Sequence, residues 1–488
     1  MVRHREPAAG ASGRRDQFGH RLAICAIVLI SAAVYSLYSI VTHLNFGTTI
    51  FDAVIFDQAI RGYAGFGAPV SIALGEHDGY GYHFGVLGDH FSPIIAMLAP
   101  LYWIHDGPMT LYVAQAVLFA LAIPVLWVFT RRALGVVAAY CVAVAYAVSW
   151  PVQNAVAFDF HEVAFAPVIM ALMFERVQAG RRGHAVLAAC ALLLVKEDMG
   201  LAVSGFGLYL LIIRSWRYGA ALTVGGVTAT WLTTRFVIPF FGGTPNARWH
   251  YDALGGSVPS AALHVLTNPL HTLQIATTPD VKVHTILWIF APLLFLSLLS
   301  PMVLPAVPLL AERMLAADMT TWWDIGFQYD AFVVIPVFCA AVDGARRVRG
   351  MSRPRWRVPG FGVAWAVTVC GIALALVPRF PFADLWDPQW YDGGPRTDAK
   401  AAAVARVPDG ALVAADNHLG PHLTARCRVL LFDEEPSGVP WVVADVRAWH
   451  FPFSSPQAQR ERVEDLLAKG YDPVFRKEGI IVLHRFDP

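Results

Sequence analysis

Charged residues are scarce in this sequence of 488 residues. Only 15% of them are Asp, Glu, Lys or Arg, 56% are hydrophobic, and the mean hydropathy is +0.50. A soluble domain carries about 25% charged residues, so this composition indicates that lipid is the main solvent of the chain. The formal net charge is only +1, which excludes the broad basic surface of a nucleic-acid-binding protein.

Cysteine is also rare, with six residues in the chain, and only Cys427 lies in a polar region. No disulfide framework is therefore predicted. Two common site motifs are missing as well. HEVAF has Phe165 where a zincin helix needs its second His, and no Lys-Ser/Thr pair follows the glycine-rich stretch near residue 80. A zincin metalloprotease and a P-loop nucleotide-binding protein are excluded, and no metal-ligand spacing is present.

Long apolar runs dominate the sequence instead. A membrane-spanning helix needs about 20 apolar residues, and fewer when it is buried among other helices. On this basis we predict about eleven spans. They lie near 22–41, 108–130, 133–150, 163–175, 184–196, 199–213, 218–241, 284–300, 301–317, 329–343 and 358–378. The fold class predicted is an all-α polytopic membrane protein.

The basic residues predict the orientation of these spans, because loops rich in Lys and Arg stay on the cytoplasmic side. If the basic N-terminus is inside, alternation of the spans places every arginine cluster inside. These clusters are Arg131–Arg132, Arg181–Arg182, Arg214 with Arg217, and 346–357. We therefore expect a multi-pass protein of the cell inner (plasma) membrane with a cytoplasmic N-terminus.

Three regions follow from this topology: a cytoplasmic N-terminus (1–21), a transmembrane domain (22–378) with a long first extracytoplasmic loop (42–107), and a soluble tail (379–488). In the tail, the apolar runs ALVAADN, CRVLLF, WVVADV and GIIVLHR alternate with helical stretches at 397–407 and 456–469. An odd number of spans places the tail outside. It is predicted to be a small C-terminal extracytoplasmic α/β domain of about 110 residues.

Ionisable residues gather in the predicted outer loops. The clusters are Asp52 and Asp57 in FDAVIFDQ; His77, His83, Asp89 and His90 in the glycine-rich stretch; Asp159, His161 and Glu162 in FDFHE; Lys196, Glu197 and Asp198 in VKEDMG; and Asp324, Gln328, Tyr329 and Asp330 in WWDIGFQYD. An ionisable group at membrane depth costs several kcal/mol unless it faces a polar cavity or a partner. The pattern predicts one shared site at the outer mouth of the helical bundle.

Each cluster also has a plainer interpretation. The acids of the first loop, Asp52 and Asp57, could cap helices in a solvated loop, and Asp89–His90 could begin a helix before FSPI. His161–Glu162 could be a buried hydrogen-bonded pair, and the charges of 196–198 could neutralise one another. Tyr329 could be an interfacial anchor.

The motifs FDAVIFDQ, GDHFSP, FHEVAFAP, KEDMGL and YDAFVVIP, in this order, resemble an uncharacterised family of predicted bacterial and archaeal membrane proteins (DUF2079-like). That family is grouped with the GT-C glycosyltransferase superfamily. The resemblance covers most of the chain, since DGALVAADNHLGPHLTAR looks like the segment that follows the last span in such proteins.

The resemblance implies a GT-C-like glycosyltransferase. Such an enzyme transfers a sugar from a polyprenyl-phosphate donor, which enters laterally from the bilayer, to an extracytoplasmic acceptor glycan or lipid. An acid of the first outer loop then acts as the general base or binds a metal, and here that acid is Asp57 or Asp52, with Asp57 favoured. A divalent cation such as Mg²⁺ or Mn²⁺ suits carboxylate oxygens, although no spacing in the sequence demands one.

The departing lipid phosphate needs cationic or hydrogen-bonding partners. Lys196 is the first candidate, followed by His90, His161 and Arg248. The rest of the predicted substrate site comprises Asp89, Glu162, Glu197 and Tyr329.

Two other classes of function stay open. A transporter or flippase of a lipid-linked envelope intermediate would contain internal repeats and mid-bilayer charges in corresponding halves, and the sequence has no convincing repeat. A non-catalytic envelope scaffold would keep the GT-C-like fold and use it for binding alone.

Overall fold

The structure is a computed structural model that describes residues 9–244, 249–351, 360–433 and 438–486. Arg248, one of the predicted phosphate ligands, lies outside the described residues. Most of the described chain is helical, and a small sheet lies near its C-terminal end.

The helices before the tail overlap all of the predicted spans. They are α1 (Ala9–Leu44), α2 (Ile55–Ala64), α3 (Ile72–His77), α4 (Ala99–Tyr102), α5 (Pro108–Leu134), α6 (Val136–Ala147), α7 (Trp150–Ala157), α8 (Ala166–Gln178), α9 (Arg182–Leu192), α10 (Met199–Ile212), α11 (Trp216–Leu232), α12 (Ile238–Phe240), α13 (Val258–Thr267), α14 (Pro269–Thr277), α15 (Val281–Phe290), α16 (Ala306–Leu315), α17 (Thr320–Trp323), α18 (Val334–Met351) and α19 (Phe361–Leu376).

Four helical segments of the described chain are long and apolar enough to cross a membrane: Gln17–Leu44, Pro108–Leu134, Val136–Ala157 and Phe361–Arg379. Several other predicted spans are shorter helices. Between α15 and α16 the chain forms short 3₁₀ turns, because Pro292, Pro301 and Pro305 lack the N–H that a continuous α-helix needs. The count of about eleven spans therefore stays a prediction.

Glycines allow α10 and α11 to pack closely. A Cβ atom added at Gly226 would lie 2.3 Å from the carbonyl oxygen of Gly200, and one added at Gly207 would lie 2.3 Å from the backbone nitrogen of Thr223. Such backbone approach is a common use of small residues between membrane helices. It fixes the position of the turn before α10, which carries Lys196 and Asp198.

The tail folds as a five-stranded sheet with helices; four of these strands coincide with the apolar runs predicted from the sequence, and β4 was not predicted. Its elements are α20 (Pro388–Asp392), α21 (Gly394–Val404), β1 (Leu412–Ala415), β2 (Arg428–Leu431), β3 (Trp441–Asp445), α22 (Pro456–Ala468), β4 (Asp472–Lys477) and β5 (Ile480–His484). The strand order is β2-β1-β3-β5-β4. Strand β1 is parallel to β2 and β3, whereas β5 is antiparallel to β3 and β4.

The core of the tail includes part of the first outer loop. Phe46, Ile50 and Val54 belong to the same buried cluster as Val413 of β1 and Val443 of β3. The amide N–H of Ile50 also donates to the backbone oxygen of Asn417, which follows β1, over 2.7 Å. The tail therefore helps to hold the segment that carries Asp52.

Candidate functional site

Asp52 lies in a single π-helical turn, Ile50–Val54, that leads directly into α2. Such turns are uncommon and are often found at functional sites. Its carboxylate Oδ1 lies 3.1 Å from Nε2 of His161, and its side chain is 24% exposed. Burial would lower the pKa of His161, but the charge and hydrogen bond of Asp52, together with the charge of Glu162, outweigh burial and raise this pKa to about 9. Asp52 is thus an accessible carboxylate beside an imidazolium.

Asp159 anchors the segment just before Asp52. Its Oδ2 accepts hydrogen bonds from the backbone N–H and from the hydroxyl of Thr49, over 2.9 and 2.6 Å. Its Oδ1 is buried and has no hydrogen-bond partner among the residues described. Burial, together with the nearby charge of Asp52, raises the pKa of Asp159 to about 7. Two carboxylates thus lie close together, with one oxygen available to a further ligand.

Asp57, which the sequence analysis favoured as the base, has a different environment. It is fully buried on α2, and its oxygens accept hydrogen bonds from the hydroxyls of Tyr102 and Thr424, over 2.8 and 2.7 Å. Arg61 forms an ion pair with it at 2.9 Å. Burial raises the pKa of Asp57 against the opposing influence of Arg61. This geometry does not support the preference for Asp57 over Asp52, because no acceptor hydroxyl could reach a carboxylate so enclosed.

Lys196 lies in the turn between α9 and α10 and faces Glu162. Its Nζ is 3.6 Å from Oε1 of Glu162, beyond hydrogen-bonding distance. Burial alone would lower the pKa of Lys196, but Glu162, Asp198 and Glu197 together raise this pKa above its ordinary value. Lys196 therefore stays charged, at a position within electrostatic reach of Tyr329.

His90 and Glu197 extend the cluster. Nδ1 of His90 lies 2.7 Å from Oε1 of Glu197, and the backbone N–H of Phe91 donates to the other oxygen over 3.1 Å. Asp89 is close to the same imidazole, with Oδ2 at 4.0 Å from Nε2. The glycine-rich stretch of the first loop is thereby joined to the turn that carries Lys196.

The late loop also contacts His161. The side-chain amide of Gln328 lies 2.9 Å from Nε2 of His161. The next residue, Tyr329, is held through its backbone oxygen, which accepts a hydrogen bond from Arg313 over 3.1 Å. The same guanidinium pairs with buried Asp330 at 2.7 Å. The five polar clusters predicted from the sequence are therefore neighbours at one end of the bundle.

The site contains buried oxygen atoms that lack donors. Asp159 Oδ1, both carboxylate oxygens of Glu162 and Asp198 Oδ1 have no hydrogen-bond partner within the described parts of the chain. Buried acceptors in folded proteins normally have a partner. Burial raises the pKa of Asp198 to about 6, although Lys196 opposes the shift. An arrangement with so many free acceptors suits a ligand that brings hydrogen-bond donors or positive charge.

Two features of the site were not assigned from the sequence. Glu312 on α16 lies close enough to Asp198 and Lys196 for their charges to interact. The sequence feature that could have identified Glu312 is its position as an acid inside a predicted membrane span. Asn417 lies in the motif DGALVAADNHLGPHLTAR, but no role was assigned to it from the sequence. Its side-chain oxygen accepts hydrogen bonds from the backbone N–H groups of Ile50 and Phe51 at 3.0 and 3.3 Å. Within the described chain, no group of three or more His, Cys, Asp or Glu residues has the arrangement of a metal site.

An apolar cavity adjoins this end of the bundle. It has a volume of about 30 Å³ and is lined by residues of α15, α18 and α19, including Ile289, Val337 and Val369, with Asp330 at its polar end. Because Asp330 follows Tyr329 directly, the cavity leads from the interior of the bundle towards the polar cluster.

Comparisons with known proteins agree with this architecture. ArnT from Cupriavidus metallidurans bound to undecaprenyl phosphate is similar in structure, with a TM-score of 0.50 and 15% sequence identity, over 95% of this chain and 98% of that chain. Its apo state has the same TM-score and identity, over 96% and 98%. The archaeal oligosaccharyltransferase AglB from Archaeoglobus fulgidus, in complex with an inhibitory peptide and a dolichol-phosphate, has a TM-score of 0.43 and 13% identity, over 96% and 75%.

The likeness to ArnT extends over nearly the whole of both chains and shows a fold of the GT-C type. Among curated proteins, the sequence has no match. A family profile described as "Predicted membrane protein (DUF2079)" matches residues 42–482. Since this match covers most of the sequence, the chain belongs to the DUF2079 family of membrane proteins.

Proposed function

We propose that this protein is a membrane glycosyltransferase that moves a sugar from a polyprenyl-phosphate carrier to an acceptor glycan or lipid outside the cytoplasm. The observation that carries the proposal is the accessible carboxylate of Asp52, which lies beside His161 in a cluster that extends to Lys196. The GT-C type of fold supports it, since ArnT of the same fold has been seen with undecaprenyl phosphate.

In the proposed reaction, Asp52 accepts the proton of the acceptor hydroxyl while that oxygen bonds to the anomeric carbon of the sugar. The bond between this carbon and the phosphate oxygen breaks, and polyprenyl phosphate leaves with the electron pair. A base must lie within about 3 Å of the hydroxyl, which the exposed edge of Asp52 allows. Lys196 and the imidazolium of His161 would stabilise the negative charge of the departing phosphate.

The remaining predicted residues have supporting parts in this proposal. Glu162 and Glu197 would orient Lys196 and His90, with Asp89 beside that imidazole. Tyr329 would contact the sugar, since it lies within electrostatic reach of Lys196. Arg248 stays a proposed phosphate ligand from its place in the sequence.

The proposed site would also accept a divalent cation. Mg²⁺ and Mn²⁺ prefer carboxylate oxygens, and the residues that would hold such an ion are Asp52 and Asp159, whose Oδ1 lacks a donor among the residues described. A bound cation would supply positive charge next to the leaving phosphate.

The test is glycolipid and envelope-glycan profiling of a strain that lacks the gene, complemented by variants of the full-length protein. We expect the deletion strain to accumulate a lipid-linked sugar. Asp52→Asn should fail to restore transfer, with a loss of about a hundredfold or more because general-base catalysis contributes at least this factor. Asp252→Asn, a change at an exposed acid outside the cluster, should restore it fully.

Three results would overturn the proposal. Full complementation by Asp52→Asn, with protein levels equal to wild type, would remove the assigned base. Movement of a lipid-linked sugar across vesicles without a new glycosidic bond would indicate a transporter. A protein that restores the envelope without either activity would be a scaffold.

A further inference from the structure

A groove between α1 and α5 lies far from the acidic cluster. Gln115 of α5 donates to the backbone oxygen of Ala155 and accepts from the N–H of His161, so the start of α5 is next to the acidic cluster. Arg131 lies sixteen residues further along α5, which corresponds to about 24 Å at 1.5 Å per residue. The groove has a volume of about 280 Å³, and Arg131 is one of its lining residues. It is therefore separated from the proposed transfer site by most of the bilayer thickness.

The charged groups at the open end of the groove are all positive, and the amide of Gln17 lies beside them. Arg21 of α1 and Arg131 of α5 both line it and are both exposed. The guanidinium of Arg131 lies 5.1 Å from the ring centroid of Trp127. Asp and Glu are absent from the described residues that line the groove. Two arginines without an acidic partner in the groove are suited to an anion.

Trp127 provides an independent observation. Its indole is 6% exposed and lines the groove, yet Nε1 is buried and has no hydrogen-bond acceptor within the described chain. An indole nitrogen is a donor only, and a buried donor normally has an acceptor. His20, on the opposite wall, is already engaged, because Nδ1 lies 2.9 Å from the hydroxyl of Tyr140. An oxygen-rich group in the groove would satisfy Trp127.

The deeper wall of the groove is apolar. It is formed by Ile24 of α1 together with Pro124 and Val128 of α5, and all three lie within helices long and apolar enough to cross a membrane. A free inorganic anion would gain nothing from this wall, whereas a hydrocarbon chain would bury apolar surface against it. Basic pockets between membrane helices are known to take anionic lipid head groups.

We propose that this groove is a specific site for an anionic phospholipid of the leaflet at the basic end of the bundle. Its phosphate would lie between Arg21 and Arg131 and accept a hydrogen bond from Trp127 Nε1, and one acyl chain would run along Ile24 and Val128. The site is independent of the proposed glycosyl transfer, because the acidic cluster lies at the other end of α5.

The experiment is native mass spectrometry of the full-length protein, delipidated in detergent and titrated separately with phosphatidylglycerol and phosphatidylcholine. We expect one tightly retained phosphatidylglycerol and no comparable retention of phosphatidylcholine. In the double variant Arg21→Gln/Arg131→Gln, retention should fall by about thirtyfold, because each basic residue near a membrane surface contributes about a factor of five.

Two further variants make the test specific. Trp127→Phe keeps an aromatic ring in the groove but removes the Nε1 donor together with the five-membered ring of the indole, so it should lower retention severalfold. Arg217→Gln, at an exposed arginine that begins α11 outside the groove, should behave as wild type. Equal retention of both lipids, or unchanged retention in the double variant, would overturn the proposal. Displacement of the lipid by millimolar inorganic phosphate would also overturn it, by showing an anion site without an acyl subsite.

Discussion

Asp57 is enclosed by partners from two distant parts of the chain, since Tyr102 belongs to the first loop and Thr424 to the tail. Replacing Asp57 by Asn would put an amide donor against the half-buried Arg61 and leave Asp106 as the charged partner of that guanidinium. Loss of a hydrogen-bonding partner at a buried site costs about 1–3 kcal/mol. We expect Asp57→Asn to lower the melting temperature of the purified protein clearly.

Asp106→Asn is the matched control for this change. Asp106 pairs with the same Arg61 at 2.8 Å, but its side chain is 51% exposed, so its loss should cost less than about 1 kcal/mol. Equal melting temperatures for Asp57→Asn and wild type would show that the enclosure of Asp57 is unimportant for stability.

The titrating groups around Asp52 predict a pH profile for transfer. Asp159 has a pKa raised to about 7, and His161 has one raised to about 9. Asp159 gains its negative charge as the pH rises through 7, and His161 loses its positive charge as the pH rises through 9. We therefore expect the rate of transfer to rise up to about pH 7, to be constant between about pH 7 and pH 9, and to decline above about pH 9.

In the variant Asp159→Asn, the rise on the acidic side should disappear while the alkaline decline persists. Rates measured across pH 5–10 at saturating donor would check this. An acidic limb that is unchanged in Asp159→Asn would assign that limb to another group.

The sequence could identify the acids of the first loop but could not choose between Asp52 and Asp57. The two environments differ because of Thr424, which lies 367 residues away from Asp57, and because of the π-helical turn at Ile50–Val54. Neither a contact at such separation nor a single π turn produces a local pattern. Lys196 and Glu162 could be predicted as site residues from the sequence, because a charged residue next to apolar runs usually faces a polar cavity or a charged partner.

At the level of elements, the close approach of α10 and α11 depends on Gly226. A Cβ there would lie 2.3 Å from the carbonyl oxygen of Gly200, so Gly226→Val must force the helices apart. We expect a loss of about 1–3 kcal/mol, as for other overpacked interfaces. The start of α10 should move as well, so transfer should fall more than stability alone explains.

Gly225→Val is the control, because a Cβ at Gly225 would have no heavy atom within 4 Å. Melting temperatures and transfer rates of the two variants should be measured in the same detergent. The same loss in both would mean that helix propensity, rather than interhelical packing, causes the effect.

Helix locations and four of the strands could be predicted from apolar runs, and the structure confirms them. Strand β4 was missed because its sequence, DPVFRK, contains Pro473 and is mostly exposed. An edge strand of this kind lacks the alternation of apolar and polar residues that identifies strands. The number of spans is harder to predict, since proline-rich segments such as 291–305 are apolar without being continuous α-helix.

On the scale of the whole molecule, half-buried histidines hold the tail against the rest of the protein. The ring of His422 stacks on His43 of α1, with centroids 4.1 Å apart and planes at 7°. Nδ1 of His418 lies 3.1 Å from the backbone oxygen of Thr48. Burial lowers the pKa of both tail histidines to about 4, so the docked tail favours their neutral forms.

This linkage predicts that docking weakens in acid. A histidine whose pKa is lowered by folding stabilises the folded form fully above its unfolded pKa of about 6.5, and that stabilisation is lost as the pH falls towards about 4. Hydrogen exchange of residues 394–433 should therefore accelerate between pH 6.5 and 4, relative to exchange in α5.

The double variant His418→Asn/His422→Asn should show a weaker pH dependence of this exchange. His264→Asn, on α13 and outside the tail, should keep the dependence of wild type. Exchange in residues 394–433 that is independent of pH would show that these histidines do not couple docking to protonation.

The backbone of Thr49 and Ile50 is held from both sides, by Asp159 of the helical bundle and by Asn417 of the tail. A shortened chain that ends before β1, of the kind often made to ease purification, would lose Asn417 and Thr424 together. The turn bearing Asp52 would then lack one of its two supports, and Asp57 would lack one of its donors. Inactivity of such a fragment would say nothing about whether the tail recognises an acceptor, so assays of this protein should use the entire polypeptide.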